Sequence, residues 1–183
     1  MKNLKVIFLF PLILNALPCL ALSLSVSGGY NGNVFETSGE SYYYENLAYR
    51  ATLMSSRKNR VRLGVGYSTG QYIRETTIDS NVPRFINDIQ GELFFNIGLD
   101  KSRRSFLHFG GIYGQFQTSD QRSFFGQKAT IEQMGGSIGG GIYLIDASSF
   151  KVCLEAQIGY LQLSGLTRTR RQVMTFLTLE LGD

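Results

Sequence analysis

Residues 134–145 read MGGSIGGGIYLI, five glycines in a run that is otherwise apolar, β-branched and aromatic. Glycine in a strand costs backbone entropy and gives nothing to pack. A strand that carries five of them belongs where bulk would do harm. Read with period two over 130–144, the stretch sorts itself. Met134, Ile138, Ile142 and Leu144 share one face, with Gly136 and Gly140 between them. Gln133, Gly135, Ser137, Gly139 and Gly141 share the other. The interior of an eight-stranded barrel is just wide enough for side chains to fill. Inward glycines on one strand make room there for long side chains arriving from others. Closing the sheet also pairs every backbone N–H and C=O, which a lipid environment requires.

Seven further segments carry the same period, at roughly 22–35, 43–54, 60–70, 87–99, 105–116, 150–163 and 172–182. Each is near or above the roughly 9–11 residues that a tilted strand needs to cross a bilayer, whereas soluble strands are usually nearer five or six. In 60–70, Val61, Leu63, Val65 and Tyr67 oppose Arg62, Gly64, Gly66 and Ser68. In 87–99, Ile89, Leu93, Phe95, Ile97 and Leu99 oppose Asp88, Gln90, Glu92 and Asn96. In 150–163, Val152, Leu154, Ala156, Ile158 and Tyr160 oppose Lys151, Cys153, Glu155, Gln157 and Gly159. The last segment sets Thr175, Leu177, Leu179 and Leu181 against Met174, Phe176, Thr178 and Glu180.

The gaps alternate. SSRKN, DKSRR and IDASS are short; ETSGESY, QYIRETTIDSNVPRFI, QTSDQRSFFGQKA and SGLTRTRR are longer. Short turns at one end and longer loops at the other describe an up-and-down outer-membrane barrel, with turns in the periplasm and loops outside. The fold expected is therefore all-β, an eight-stranded antiparallel transmembrane β-barrel over residues 22–183. A soluble lipocalin-like periplasmic binding barrel is the nearest competitor, since it also has eight strands. It would hide its apolar set and show the polar one. Here the polar sets are rich in glycine, which suits a crowded lumen, and the apolar faces run the length of the strands, as lipid contact requires.

Residues 1–21 are expected to be a separate object. Lys2 and Lys5 form a positive start, VIFLFPLILNALPCLAL an apolar core, and cleavage fits after Ala21 or after Ser23. Pro11, Asn15 and Pro18 interrupt the run, which is short for a membrane-spanning helix. Cleavage leaves Cys153 as the single cysteine, so no internal disulfide is expected. Removing Lys2 and Lys5 from the 18 basic residues leaves 16 against 14 acids, a net charge of +2. That gives no footprint for nucleic acid.

The inward faces carry charges of both signs: Arg50, Arg62, Glu92, Lys151, Glu155 and Glu180. Isolated charges in a low-dielectric site are costly, so these are expected to pair as a network that plugs a narrow barrel. The alternative is a small pore. The sole histidine, His108 in FLHFGGIYG, has Phe106 and Gly110 as same-face neighbours and no serine partner on its own strand. No catalytic residue, metal cluster or cofactor motif stands out. The loops offer Arg168, Arg170 and Arg171 in SGLTRTRR as a candidate anion-binding group, because guanidinium makes bidentate contacts to phosphate and carboxylate. Arg74 and Arg84 sit beside Glu75 and Asp79 in the third gap. The short turns are basic too, at Arg57, Lys58, Lys101, Arg103 and Arg104.

With this strand pattern and loop alternation, including GVGYSTG and GGGIYLI, the mature chain resembles the small eight-stranded outer-membrane proteins. These are the OmpA transmembrane domain, OmpX and the Ail-type adhesion and invasion proteins. It departs from them in ending LTLELGD, without a terminal aromatic residue. The resemblance implies a bacterial outer-membrane location, a monomer, and contact with outer-membrane lipid and lipopolysaccharide. It also implies roles in adhesion, serum resistance or envelope integrity, exerted through surface loops on a host or extracellular ligand. A lipid-modifying outer-membrane enzyme is the alternative activity.

Overall fold

The structure, a computed structural model, describes residues 22–36, 41–56, 59–75, 85–118, 130–164 and 169–182. The segment 1–21 lies outside them. Eight strands follow in order: β1 Leu22–Glu36, β2 Ser41–Ser55, β3 Val61–Glu75, β4 Phe85–Gly98, β5 Ser105–Thr118, β6 Thr130–Asp146, β7 Phe150–Leu163 and β8 Thr169–Leu181. Each pairs antiparallel with its neighbours in sequence, and β1 pairs with β8 to close the barrel.

The register fixes the size of the barrel. Paired residues lead from Val26 through Ala51, Tyr67, Gly91, Tyr113, Met134, Gln162 and Thr169 back to Glu36 on β1. The circuit returns ten residues further along its own strand. With a rise of about 3.3 Å per residue and strands about 4.8 Å apart, that stagger tilts the strands by about 41° and gives a backbone radius of about 8 Å. Each residue then climbs about 2.5 Å along the axis. Only side chains fit inside such a tube.

The outer surface is apolar. Leu63, Leu93, Met134, Ile138, Ile158 and Leu177 are among the most exposed apolar residues, with Leu93 at 65%. From Leu99, just past β4, this band runs back to Ile89, about 25 Å along the axis, the height of the lipid-facing band of membrane barrels. Tyr30, Tyr49, Tyr67, Tyr113 and Tyr160 point outward in its upper half, toward the end that carries the connections after β1, β3, β5 and β7. Above them the outward residues turn polar at Gln115, Glu132, Gln162 and Arg171. A soluble barrel would present the reverse pattern.

The glycines of MGGSIGGGIYLI sit where neighbouring chains approach closely. A Cβ on Gly139 would meet Gln157 Cα at 2.7 Å and its Cγ at 2.8 Å. One on Gly141 would meet the Phe106 ring at 2.6 Å and Cys153 Sγ at 3.0 Å. The inner face of β6 carries glycine where the β7 backbone (at Gly135 and Gly139) and neighbouring side chains (at Gly141) lie across it.

The connections differ from expectation. The strands run further than the apolar alternation suggests, so only four residues separate β1 from β2 and five separate β7 from β8. Those two are as short as the turn of five residues after β2; only the third and fifth connections are long. The extra length lies mostly above the apolar band, where runs such as Thr169–Gln172 are polar throughout and the alternation of hydropathy fades. Four charged residues assigned to loops are thereby corrected to strands: Arg74 and Glu75 are in β3, and Arg170 and Arg171 in β8. Arg57, Lys58, Asp79, Arg84 and Arg168 lie outside the described residues.

Candidate functional site

The lumen is filled by three layers of charge, each built on one arginine. Nearest the end carrying the turns after β2, β4 and β6, Arg62 of β3 reaches Glu180 of β8, Nη2 to Oε1 at 2.6 Å. Its Nη2 also donates to Ser23 Oγ at 2.6 Å and its Nε to the Ser55 carbonyl at 3.0 Å. Tyr143 OH donates to Glu180 Oε2 at 2.9 Å. Lys151 belongs to the rim of this end, half-buried and paired with Asp146.

In the middle layer Arg50 of β2 pairs with Glu155 of β7, and its Nη1 is 4.0 Å from Glu92 of β4. Thr178 Oγ1 donates to Glu155 Oε1 at 2.7 Å, and the guanidinium lies 4.4 Å over the Phe176 ring. Beside it, His108 Nε2 is 3.0 Å from Glu92 Oε1 and 3.2 Å from Ser137 Oγ, while Nδ1 is 2.9 Å from Asn96 Oδ1.

So a serine does stand beside His108, contributed by β6 across the strand pairing. The arrangement is not a nucleophile relay. In a relay the serine and the acid sit on opposite ring nitrogens. Here both share Nε2, and Ser137 Oγ donates directly to Glu92 at 2.6 Å. The ring is 1% exposed, so it offers nothing to a substrate.

The third layer, toward the loop end, contains the correction that matters most for function. The sequence pattern puts Arg170 in an outer anion-binding loop. Instead it is 0% exposed inside the barrel and pairs with Asp88 of β4. Its Nε donates to Asn33 Oδ1 at 2.9 Å and its Nη1 to Gln133 Oε1 at 2.7 Å. Gln133 Nε2 in turn donates to Asp88 Oδ1 at 2.8 Å. The cause is the pleat: β8 begins at Thr169, so alternate residues Arg170 and Gln172 turn inward while Arg171 turns outward. Arg171 stays exposed, with Nη2 3.1 Å from Glu36 Oε1.

Apolar layers separate and cap the charges. Ala48, Ile112, Leu161, Met174 and Phe176 form a buried cluster around the barrel axis. At the loop end Phe35, Tyr44 and Phe116 are buried together, with ring centroids 5.4–5.5 Å from Phe35. Each guanidinium of the three layers thus has a carboxylate beside it, as burial demands. Among the described residues no group of three His, Cys, Asp or Glu is placed to hold a metal ion.

No protein-family model and no curated protein matches this sequence. Solved structures match its fold. Neisserial surface protein A superposes with a TM-score of 0.55 at 12% identity, over 87% of this chain and 97% of that one. The attachment invasion locus protein Ail of Yersinia pestis, in complex with the heparin analogue sucrose octasulfate, superposes with a TM-score of 0.51 at 13% identity. That match covers 88% of this chain and 100% of Ail. At such identities the likeness is one of fold: a small eight-stranded outer-membrane-type barrel.

Proposed function

We propose that this chain is a non-enzymatic bacterial outer-membrane protein whose barrel is a plugged scaffold and whose loop end binds a partner. Residues 1–21 direct export and are removed after Ala21 or Ser23. The mature chain inserts as a monomer among outer-membrane lipid and lipopolysaccharide, with the turns after β2, β4 and β6 in the periplasm. The observation that carries this reading is the cross-section of the lumen. Three arginine–carboxylate layers, the His108 cluster and the apolar cluster occupy a tube about 8 Å in backbone radius. Function is thereby displaced to the surface that faces away from the cell, where loops carry recognition.

Arg168 and Arg171 are the residues proposed to meet an anionic partner, a lipopolysaccharide phosphate or a sulfated host glycan. Support comes from the exposure of Arg171 and from Ail, whose crystal structure holds a sulfated sugar. Arg170 has no part in this surface. Planar-bilayer recording of the refolded protein, together with binding to immobilised heparin and lipopolysaccharide, tests the reading. We expect no reproducible large conductance, and anion binding that weakens in the Arg168→Ala/Arg171→Ala variant. Sustained conductance would replace the plug with a pore, and unchanged binding would remove the role from this end of β8.

A further inference from the structure

The turn end of the barrel contains a cavity of about 280 Å³, which opens beside the Arg62 layer and shares Arg62, Tyr143 and Lys151 with it. Five cations line it: Arg60 from the turn after β2, Arg62 from the start of β3, Lys101 and Arg103 from the turn after β4, and Lys151 from the start of β7. The nearby acids are already committed. Glu180 holds Arg62, and Asp146 holds Lys151. Asp100 spends its carboxylate on its own turn, accepting from Ser102 Oγ and Arg104 N at 2.9 Å and from Ser105 Oγ and N at 2.9 and 3.2 Å. Among the described residues, Arg60 donates to a backbone carbonyl, Gly98 O at 3.3 Å, and neither it nor Lys101 is paired with a carboxylate.

The backbone adds an independent sign. Arg103 has φ of 56°, in the left-handed region where glycine is at ease and a long side chain is strained. Such a conformation persists only where surrounding contacts hold it. The Asp100 hydrogen bonds hold it. The result is an ordered turn that fixes an arginine at the lip of a cationic cup.

We propose that this mouth is a binding site for a compact phosphate-bearing anion. Several guanidinium and ammonium groups converging from four segments match a multiply charged tetrahedral group better than one carboxylate. The concave shape and volume fit a phosphate ester or headgroup; they are too small for a folded partner. Two sources carry that chemistry. One is a phospholipid headgroup folded over the rim, since Leu99 and Phe150 bring the apolar band to the same level. The other is a soluble phosphate ester entering from the aqueous side. The proposal holds whichever way the barrel faces, and so stands apart from the orientation assigned above.

The test titrates pyrophosphate into the full mature protein in zwitterionic nanodiscs, followed by calorimetry and by backbone amide shifts of residues 98–106. A second arm uses nanodiscs containing phosphatidylglycerol. The comparison variant is Lys101→Ala/Arg103→Gly, chosen because glycine relieves the positive φ and leaves the turn intact. We expect saturable binding that falls at least tenfold in the variant, with heat-modifiable gel migration unchanged. Phosphatidylglycerol that blocks pyrophosphate identifies the headgroup as occupant; pyrophosphate binding unaffected by it identifies the soluble ester. Absence of saturable binding in zwitterionic discs, or equal binding by the variant, overturns the proposal.

Discussion

Replacing Arg170 by methionine separates a luminal strut from a loop residue. Arg170 is fully buried, and its guanidinium serves Asp88, Asn33 and Gln133 together. A methionine side chain there would keep most of the packing but leave the Asp88 carboxylate buried with only the amide donors of Gln90 and Gln133. Breaking one side of a buried pair costs about 3–5 kcal/mol, whereas removing both charges is often close to neutral. We therefore expect Arg170→Met to lose about 3–5 kcal/mol, and Arg170→Met/Asp88→Asn to recover at least half of it. Urea unfolding in detergent or liposomes measures this. The sequence has no tryptophan, so circular dichroism and the folded-to-unfolded gel shift are the readouts. A loop arginine would make the single change nearly silent. A single variant within about 1 kcal/mol of the parent, or a double variant less stable than the single, refutes the luminal assignment.

Other outcomes follow from the same contacts. Gly139→Ala should cost about 1–3 kcal/mol because its Cβ meets the Gln157 backbone. Gly28→Ala, with nothing within 4 Å, should stay within about 0.5 kcal/mol, both read by urea midpoint. Glu155→Gln should destabilise more than Glu92→Gln, because Arg50 pairs closely with Glu155 and stands 4.0 Å from Glu92; equal midpoints in urea would contradict that order. Desolvation pushes the Asp100 carboxyl up, but the hydrogen bonds from the Ser105 and Ser102 hydroxyls and from the Arg104 and Ser105 N–H groups together outweigh it and hold it below the usual aspartate range. Its contribution to turn order is then complete above the ordinary aspartate value and lost as pH falls through the depressed one. Carboxyl NMR should show that midpoint below the ordinary value, and Ser102→Ala/Ser105→Ala should move it upward.

The barrel is legible in the sequence because lipid and lumen impose opposite demands on alternate residues. Leu93 beside Glu92, or Ile138 beside Ser137 and Gly139, makes sense only if the apolar face meets lipid and the polar face meets other side chains. The start of β8, above the apolar band, carries no such contrast. In Thr169–Arg170–Arg171–Gln172 every residue is polar, so hydropathy cannot separate strand from loop, and a luminal arginine looks like part of the surface. Asp88 falls on the inward face of its segment, but its partner comes from β8, across the lumen from β4. That pairing exists only once the barrel is closed. The Ser137–His108 contact is hidden likewise. Scanning the strand of His108 finds no serine partner, whereas the β5–β6 register pairs His108 with Gly139 and brings Ser137 two residues along the same face.

The fold requires that the apolar exterior lie in lipid around a packed polar interior. Nitroxide labels placed one at a time by Leu93→Cys, Ile138→Cys and Ile158→Cys, in a Cys153→Ser background, measure it directly in reconstituted liposomes. All three positions are exposed on the outer face, at 54–65%, and Cys153 is buried inside. Relaxation by dissolved oxygen, which concentrates in lipid, should be strong at all three, and relaxation by a water-soluble nickel chelate should be weak. The opposite order, with the chelate dominant, would place this leucine and these isoleucines in water and contradict the account.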